Sequence, residues 1–316
     1  MTQSTNTAGL SVQMKTYYDR TLLVRALPLL VHAQFGQTRP LSKRNGKTIE
    51  FRRFASLAAN VTPLTEGATP AGGNLTSSAI TATVNQYGDF IEGSDLLDLT
   101  AIDPILTETA QLLGEQAGLS TDQVVREILH AGTTVQYANG RTSRGTITTG
   151  DNLTVTEVRK AVRTLKNNKA RTLPDGTYVA IVAPNTTYTL QSDPEWREAA
   201  KYAGSTQLFN GEIGQIYGVR FVETTEAKVF AAEGADPDGT GALGPIDVYS
   251  TLVLGADAYG IIPLEGQNLE FIFKPVGSAG SADPLNQRWT SGWKLAFTAK
   301  ILNDLFMLRI EHAVAN

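Results

Sequence analysis

The chain has 316 residues, 41% of them hydrophobic, and a formal net charge of −4, enough for one large domain or two moderate ones around a sizeable core. The acidic balance disfavours tight nonspecific binding to nucleic acid, and the lack of cysteine excludes disulfides, thiolate nucleophiles and cysteine metal sites. The polar start, Met1 to Thr7, lacks the apolar core of a signal peptide, and the most apolar early run, Leu22 to Val31, is broken by Arg25 and Pro28, so a soluble protein made in the cytoplasm is expected.

Residues 1–15 read as an arm. From Tyr17 to Ala33, residues Tyr18, Leu22, Ala26, Leu29 and Leu30 recur at near-helical spacing around Pro28, giving a short amphipathic helix or two half-turns. A basic run follows, with Arg39, Lys43, Arg44, Lys47, Arg52 and Arg53 against the single Glu50. It suits a solvated strand face or contact with an acidic neighbour. Lys47 to Phe54 and Ala79 to Ile91 alternate with period two and read as strands. Between them Ala55 to Ser78 forms a crown of small and polar residues whose sizeable apolar side chains are Leu57, Val61, Leu64 and Leu75. Loops of that length are uncommon inside compact domains, and a two-stranded ribbon is marginal alone in water. The hairpin is therefore expected to project and to be ordered by contact with something else.

From Asp89 to Glu127 nine acidic residues stand against one basic residue, Arg126. Blocks of opposite sign suit pairing between copies or within one copy. The longest helix is expected from Asp103-Pro104, an N-cap followed by proline, to about Gly132. Gly114 and Gly118 weaken its interior by roughly 1 kcal/mol each, which calls for a close packing partner or a bend there. Asn139-Gly140 predicts a hairpin turn, and Thr154 to Glu157 a capping box opening a helix with Val158, Ala161, Val162 and Leu165 on its apolar face. That helix's Arg159, Lys160, Arg163 and Lys166 read as a solvated face. Tyr178 to Val182 reads as a buried strand, and Asp193-Pro194 caps a further helix to about Tyr202. Strands follow at 219–223, 246–254 and 269–275, and then two alternating C-terminal runs, Trp293 to Ile301 and Phe306 to Ile310, separated at Asn303-Asp304. Helices and antiparallel strands are segregated, so the class is α+β.

No catalytic chemistry emerges. His32, His130 and His312 lack metal-ligand spacing and read as surface or packing residues. Gly239 to Gly244 matches the dinucleotide pattern without its strand–helix context, and Asp236 to Gly239 starts like a calcium loop without the remaining ligands. No catalytic residue, cofactor or metal is assigned.

The arm, the basic strand, the crown phrase Leu64-Thr65-Glu66-Gly67-Ala68-Thr69-Pro70 and the long strand returning into a helix resemble tailed-phage major capsid proteins. The run Asp283 to Arg288, with Gly292-Trp293-Lys294 and Ile301 to Asp304, resembles the branch typified by the coliphage N-four capsid subunit. The likeness covers about residues 16–313. It implies the Hong Kong-type capsid fold: N-terminal arm 1–45, extended loop 46–92, peripheral domain with spine helix 93–136, axial domain 137–285, and C-terminal strands 286–316 returning to the peripheral domain. It implies hexamers and pentamers of an icosahedral shell around weakly contacted double-stranded DNA, located in the virion, with a separate scaffold, portal and decoration proteins as further partners and no membrane. Arg52, Arg53, Leu64, Glu66, Gly67 and Pro70 are the expected intersubunit contacts. The crown holds no lysine, so the covalent cross-link that some relatives make is not expected from it. The alternatives are an encapsulin-like cargo shell and a decoration or binding module.

Overall fold

A single long helix organises the molecule. The structure is a computed structural model and describes residues 22–26, 30–42, 44, 46–54, 57–64, 66–67, 69, 72, 74–96, 105–202, 212–237, 244–265, 269–280 and 283–315. In chain order the elements are β1 (Gln37–Thr38), β2 (Thr48–Phe54), β3 (Ser77–Thr83), β4 (Asn85–Ser94), the spine helix α1 (Ile105–His130), β5 (Val135–Tyr137), α2 (Val155–Asn167), β6 (Tyr178–Val182), α3 (Pro184–Gln191), α4 (Pro194–Tyr202), β7 (Glu212–Ile216), β8 (Val219–Glu223), β9 (Val229–Phe230), β10 (Val248–Leu254), β11 (Tyr259–Pro263), β12 (Glu270–Lys274), β13 (Arg288–Ile301) and β14 (Met307–His312). The expected cap at Asp103-Pro104 lies outside the described residues.

At about 1.5 Å per residue α1 reaches roughly 39 Å. Its buried stripe, Ala110, Leu113, Ala117, Val125 and Leu129, follows the helical period. The interior glycines have the close partner their spacing calls for. A helical turn at 22–26 lies directly on them, so a Cβ at Gly114 would stand 2.6 Å from the Leu22 carbonyl oxygen and one at Gly118 2.6 Å from that of Ala26. One helical turn beyond Gly118 the chain is pinned again. Asp122, fully buried, accepts from the His32 backbone N–H at 2.7 Å, and its other carboxylate oxygen lies 2.6 Å from His32 Nδ1. The hydroxyl of Tyr259 donates to the His32 carbonyl.

Two sheets flank this helix. In the first, β4 pairs with β13 from Asn85↔Phe297 to Ser94↔Arg288, while β11 and β12 both lie along the opposite edge of β13. β1 adds to β11 in parallel. The spine helix covers one face of this sheet, burying Phe271 and Trp293 against Leu113 and Ala117. The second sheet has the order β5-β14-β10-β6-β8-β7, with β9 on β10. All five residues of Tyr178–Val182 are buried, as expected. Ala180 and Val182 face α2 and α3, while Val179 and Ile181 face the C-terminal end of the spine helix.

Several local readings are redirected by these ladders. The strand expected over 79–91 is divided at Val84, because β3 pairs only with β2 while β4 pairs with β13. The two C-terminal runs separate into different sheets at Asn303, whose side chain accepts from Leu305 N–H and opens a tight turn. β11 and β12 join the sheet of β4 and β13, whereas β14 joins that of β6 and β10. Hydrogen bonding between distant segments decides this, and alternation alone carries no partner information. Asn139 and Gly140 do take left-handed angles (φ 55 and 71), but they close a short helical turn; β5 before them pairs in parallel with β14, so no hairpin forms. Thr154 caps α2 by accepting from Glu157 N–H, while the Glu157 side chain turns away from its box to Gln136, the Asn139 N–H and Lys160.

Candidate intersubunit surface

The ribbon β2–β3 runs from Thr48↔Thr83 to Phe54↔Ser77. Its base is anchored: Phe51 and Ala82 are buried with Leu41 and Ile262, and Ile49, Ile80 and Leu302 pack around them. Beyond Phe51 that face carries the exposed Arg53, and Phe54, on the opposite face of the ribbon, is 58% exposed. In the crown Leu57, Val61, Leu64 and Leu75 are 73%, 87%, 73% and 65% exposed, so none of the sizeable apolar side chains described there is buried. Scattered exposed leucines are ordinary on a surface; a loop whose large apolar residues are all exposed marks an interaction surface.

Of the expected contact residues, Leu64 and Glu66 are exposed and Gly67 takes φ +75, a left-handed turn suited to glycine. Pro70 lies outside the described residues. Arg52 pairs with Glu50 at 3.2 Å on the strand surface, and Arg53 has no ionic partner among the described residues. The acidic block is engaged elsewhere: Glu115 with Arg25 at 3.0 Å, Glu92 with Arg288 at 3.1 Å, and Glu127 with Lys228 at 2.8 Å. Among the described residues none of these acids pairs with Arg39, Arg44, Lys47, Arg52 or Arg53 in the same chain.

A second surface was not legible in the sequence. The face of the first sheet turned away from the spine helix carries a groove of about 630 Å3. Cross-strand rows set its floor and walls. Gly292 lies between Phe90 and Ile272, Lys294 between Gly88 and Glu270, and Thr290 between Glu92 and Lys274. Glycine is required on the floor, since a Cβ at Gly88 would stand 2.6 Å from the Trp293 carbonyl oxygen and one at Gly292 2.8 Å from Phe90 Cβ. Phe90 forms one wall and is 64% exposed. Only pairing four strands in register brings these residues together, so no sequence motif signals the groove.

The remaining charged chemistry is internal. Glu311, fully buried, binds the Arg144 guanidinium through two bonds of 2.7 and 2.8 Å. Arg309 Nε sits 2.8 Å from its other side, an ion pair outside hydrogen-bond geometry. Arg144 also pairs with Glu233 and stacks 3.3 Å from the centre of the Phe230 ring; its pKa is raised by the Glu311 carboxylate and then by Glu233, against the opposing effect of burial. Burial tends to raise the Asp151 carboxyl, but the Thr148 N–H, Asn139, Arg141 and the Thr148 hydroxyl outweigh it and lower the pKa to about 2. These groups pin the 138–153 connection onto β14. The histidines are packing residues: burial lowers His130 to about 3 and His312 to about 4, with Ser250 and Thr251 hydroxyls beside their Nε2 atoms. Among the described residues no group of histidines and carboxylates could hold a metal, and no helix is long and apolar enough to cross a membrane.

A ribbon anchored at its base with an exposed crown, beside two sheets and a spine helix, is an architecture suited to a structural protein that builds a shell from identical chains. The model of the family described as phage capsid protein matches residues 32–261, and the chain belongs to that family. Among curated proteins, none matches the chain in sequence. Solved structures similar to it include the capsid of Ralstonia phage GP4, at a TM-score of 0.69 and 14% identity over 89% of this chain and 88% of that one. The capsid of cyanophage Pam1 matches at 0.64 and 16% identity over 91% and 93%. A virus-like particle from Pyrococcus furiosus matches at 0.53 and 12% identity over 95% and 100%. The fold is the Hong Kong-type capsid fold. The protein is a major capsid protein of the phage virion and self-associates into capsids; its role is structural, not enzymatic.

Proposed function

We propose that copies of this chain form the hexamers and pentamers of an icosahedral head enclosing double-stranded DNA, and that the ribbon and crown lie between copies. The observation that carries this reading is the crown, whose described large apolar residues are all solvent-exposed at the end of a ribbon anchored only at its base. A head-to-tail interface between identical chains, closing into a ring, supplies the missing partner. In this reading Leu64, Gly67 and Pro70 shape and seat the crown, Glu66 is its one charge, and Arg52 and Arg53 meet acidic side chains of the adjacent copy. The body built on β6, β10 and β14 sits nearer the capsomer centre and the spine-helix body nearer its rim. The run from Asp283 to Arg288 with Gly292-Trp293-Lys294 supports the N-four-type branch of the family. A scaffold, a portal and decoration proteins complete the proposed head, with DNA contacted weakly by an acidic shell.

Deletion of residues 57–76 tests the role of the crown. Negative-stain microscopy should show particles for the full chain and none for the deletion, while the deleted chain keeps its unfolding midpoint. Particles formed without the crown would overturn its role.

A further inference from the structure

We infer that the basic stripe on α2, with the connection that follows it, is a docking surface for the phosphate backbone of duplex DNA; this rests on the reading of the shell as a container for double-stranded DNA.

Three observations carry it. The first is charge. Six of the chain's 27 basic residues, Arg159, Lys160, Arg163, Lys166, Lys169 and Arg171, fall between Glu157 and Asp175 with no acidic residue among them, in a chain whose 31 acids otherwise prevail. Arg159, Arg163 and Lys166 recur at spacings of four and three, so they share the exposed face of α2, opposite its buried Val158, Ala161, Val162 and Leu165. Lys169 and Arg171 are exposed beyond its end. Two of the six are engaged: Lys160 with Glu157 at 2.7 Å, and Arg159 over the Tyr217 ring at 5.2 Å. Asp175, the next acid along the chain, is taken by Arg220 at 3.3 Å. Arg163, Lys166, Lys169 and Arg171 pair with no carboxylate among the described residues. Like charges three and four apart on a helix repel one another, and an external polyanion relieves that repulsion.

The second observation is a fixed backbone under these cations. Lys169 takes φ 56, the left-handed position after a helix where glycine or asparagine is usual. Its N–H donates to the Lys166 carbonyl and that of Ala170 to the Leu165 carbonyl, each at 2.9 Å. The Tyr178 hydroxyl donates to the Ala170 carbonyl and the Ala256 N–H to that of Arg171, again at 2.9 Å, while the Asn168 side chain donates to Leu305 at 3.2 Å. Only side chains are left to order on binding. The third is spacing. From Arg159 to Lys166 the helix rises about 10 Å, a length over which duplex DNA presents about six phosphates. In the chain's own acidic block, Glu92, Glu115 and Glu127 are already paired, which leaves enclosed DNA as the denser source of anions. Phosphate contacts position a duplex without reading its sequence, so the contact is sequence-independent, and the acidic remainder of the chain keeps it weak.

Removing the charge tests the surface. R163Q/K166Q/K169Q/R171Q alters exposed side chains alone and should leave the unfolding midpoint of the free chain unchanged. Fluorescence anisotropy with a labelled duplex of about 20 base pairs should show the variant binding at least tenfold more weakly than the native chain at about 50 mM salt. The slope of log affinity against log salt should fall by about 3, since each phosphate contact contributes about 0.9. Two duplexes of unrelated sequence should bind the native chain equally, and R39Q/R52Q/R53Q, on the basic strand, should bind as the native chain does. A native chain that does not bind the duplex, or a four-residue variant that binds it equally well, would overturn the proposal. Loss of particles in negative stain with DNA affinity unchanged would assign the stripe to an acidic face of another copy instead. If the native chain bound DNA through the stripe but formed no particles, the shell reading would fail and the stripe would stand.

Discussion

The spine helix and the ribbon are both long, and they locate their stability in opposite places. The helix spends its glycines on contact with its own chain, letting the 22–26 turn lie against its backbone, and both of its ends feed buried clusters. The ribbon buries a few side chains at its base and then presents exposed leucines. Burying an apolar side chain of this size contributes about 1.5–3 kcal/mol. The helix gains that on folding; in the proposed arrangement the crown gains it on assembly.

This contrast can be broken at several points. The largest effect on the subunit itself is expected at Glu311. E311A leaves Arg144 and Arg309 facing each other without their shared carboxylate, and removal of one partner from a buried pair typically costs about 3–5 kcal/mol. Urea unfolding of the free chain should show that loss, and a change below 1 kcal/mol would mean that water enters the site. Next is G114V, which forces a branched side chain against the Leu22 carbonyl and should cost about 1–3 kcal/mol in the same measurement. No loss would mean that the 22–26 turn does not hold the helix.

A smaller, graded effect follows from the histidines. His130 and His312 have folded pKa values lowered by burial to about 3 and about 4. The unfolded chain takes up protons near pH 6.5 that the folded chain refuses. Stability is therefore full above that pH and falls as pH drops, by about 1.4 kcal/mol per pH unit from each histidine, until the folded pKa is reached. H312Q should remove about half of the slope between pH 6.5 and 5. The smallest effect on the subunit is expected from R52E/R53E, within about 0.5 kcal/mol because both side chains are exposed. Its effect should appear in particle yield instead. An equal loss of stability and assembly would place the partner of the basic strand within the same chain.

Where the physics is local, the sequence was a sufficient guide. The helical stripe of the spine, the buried strand at Tyr178–Val182, the Thr154 cap and the alternation in β2 each depend on neighbours a few residues away. Asp193 was legible as a cap for α4 but not as the acceptor for a second helix start: its other oxygen accepts from Val155 N–H, thirty-eight residues distant, tying two helix starts together. Glu157 followed its motif through the backbone and left it through the side chain, because a buried carboxylate takes the strongest donors within reach and these come from the 136–139 connection.

The ribbon shows the division most clearly. Sequence by itself determined that residues 47–54 and 79–91 are extended, that the crown has little to bury, and that one charge, Glu66, stands alone in it. Those are properties of composition and period. Only the tertiary structure decided that the returning strand changes partner at Val84, that Gly88 and Gly292 become neighbours on a bare sheet face, and that Phe51 closes one end of that face and leaves the other open. The physical reason is that strand pairing joins residues some two hundred positions apart, and a period-two pattern names a face without naming what lies across it.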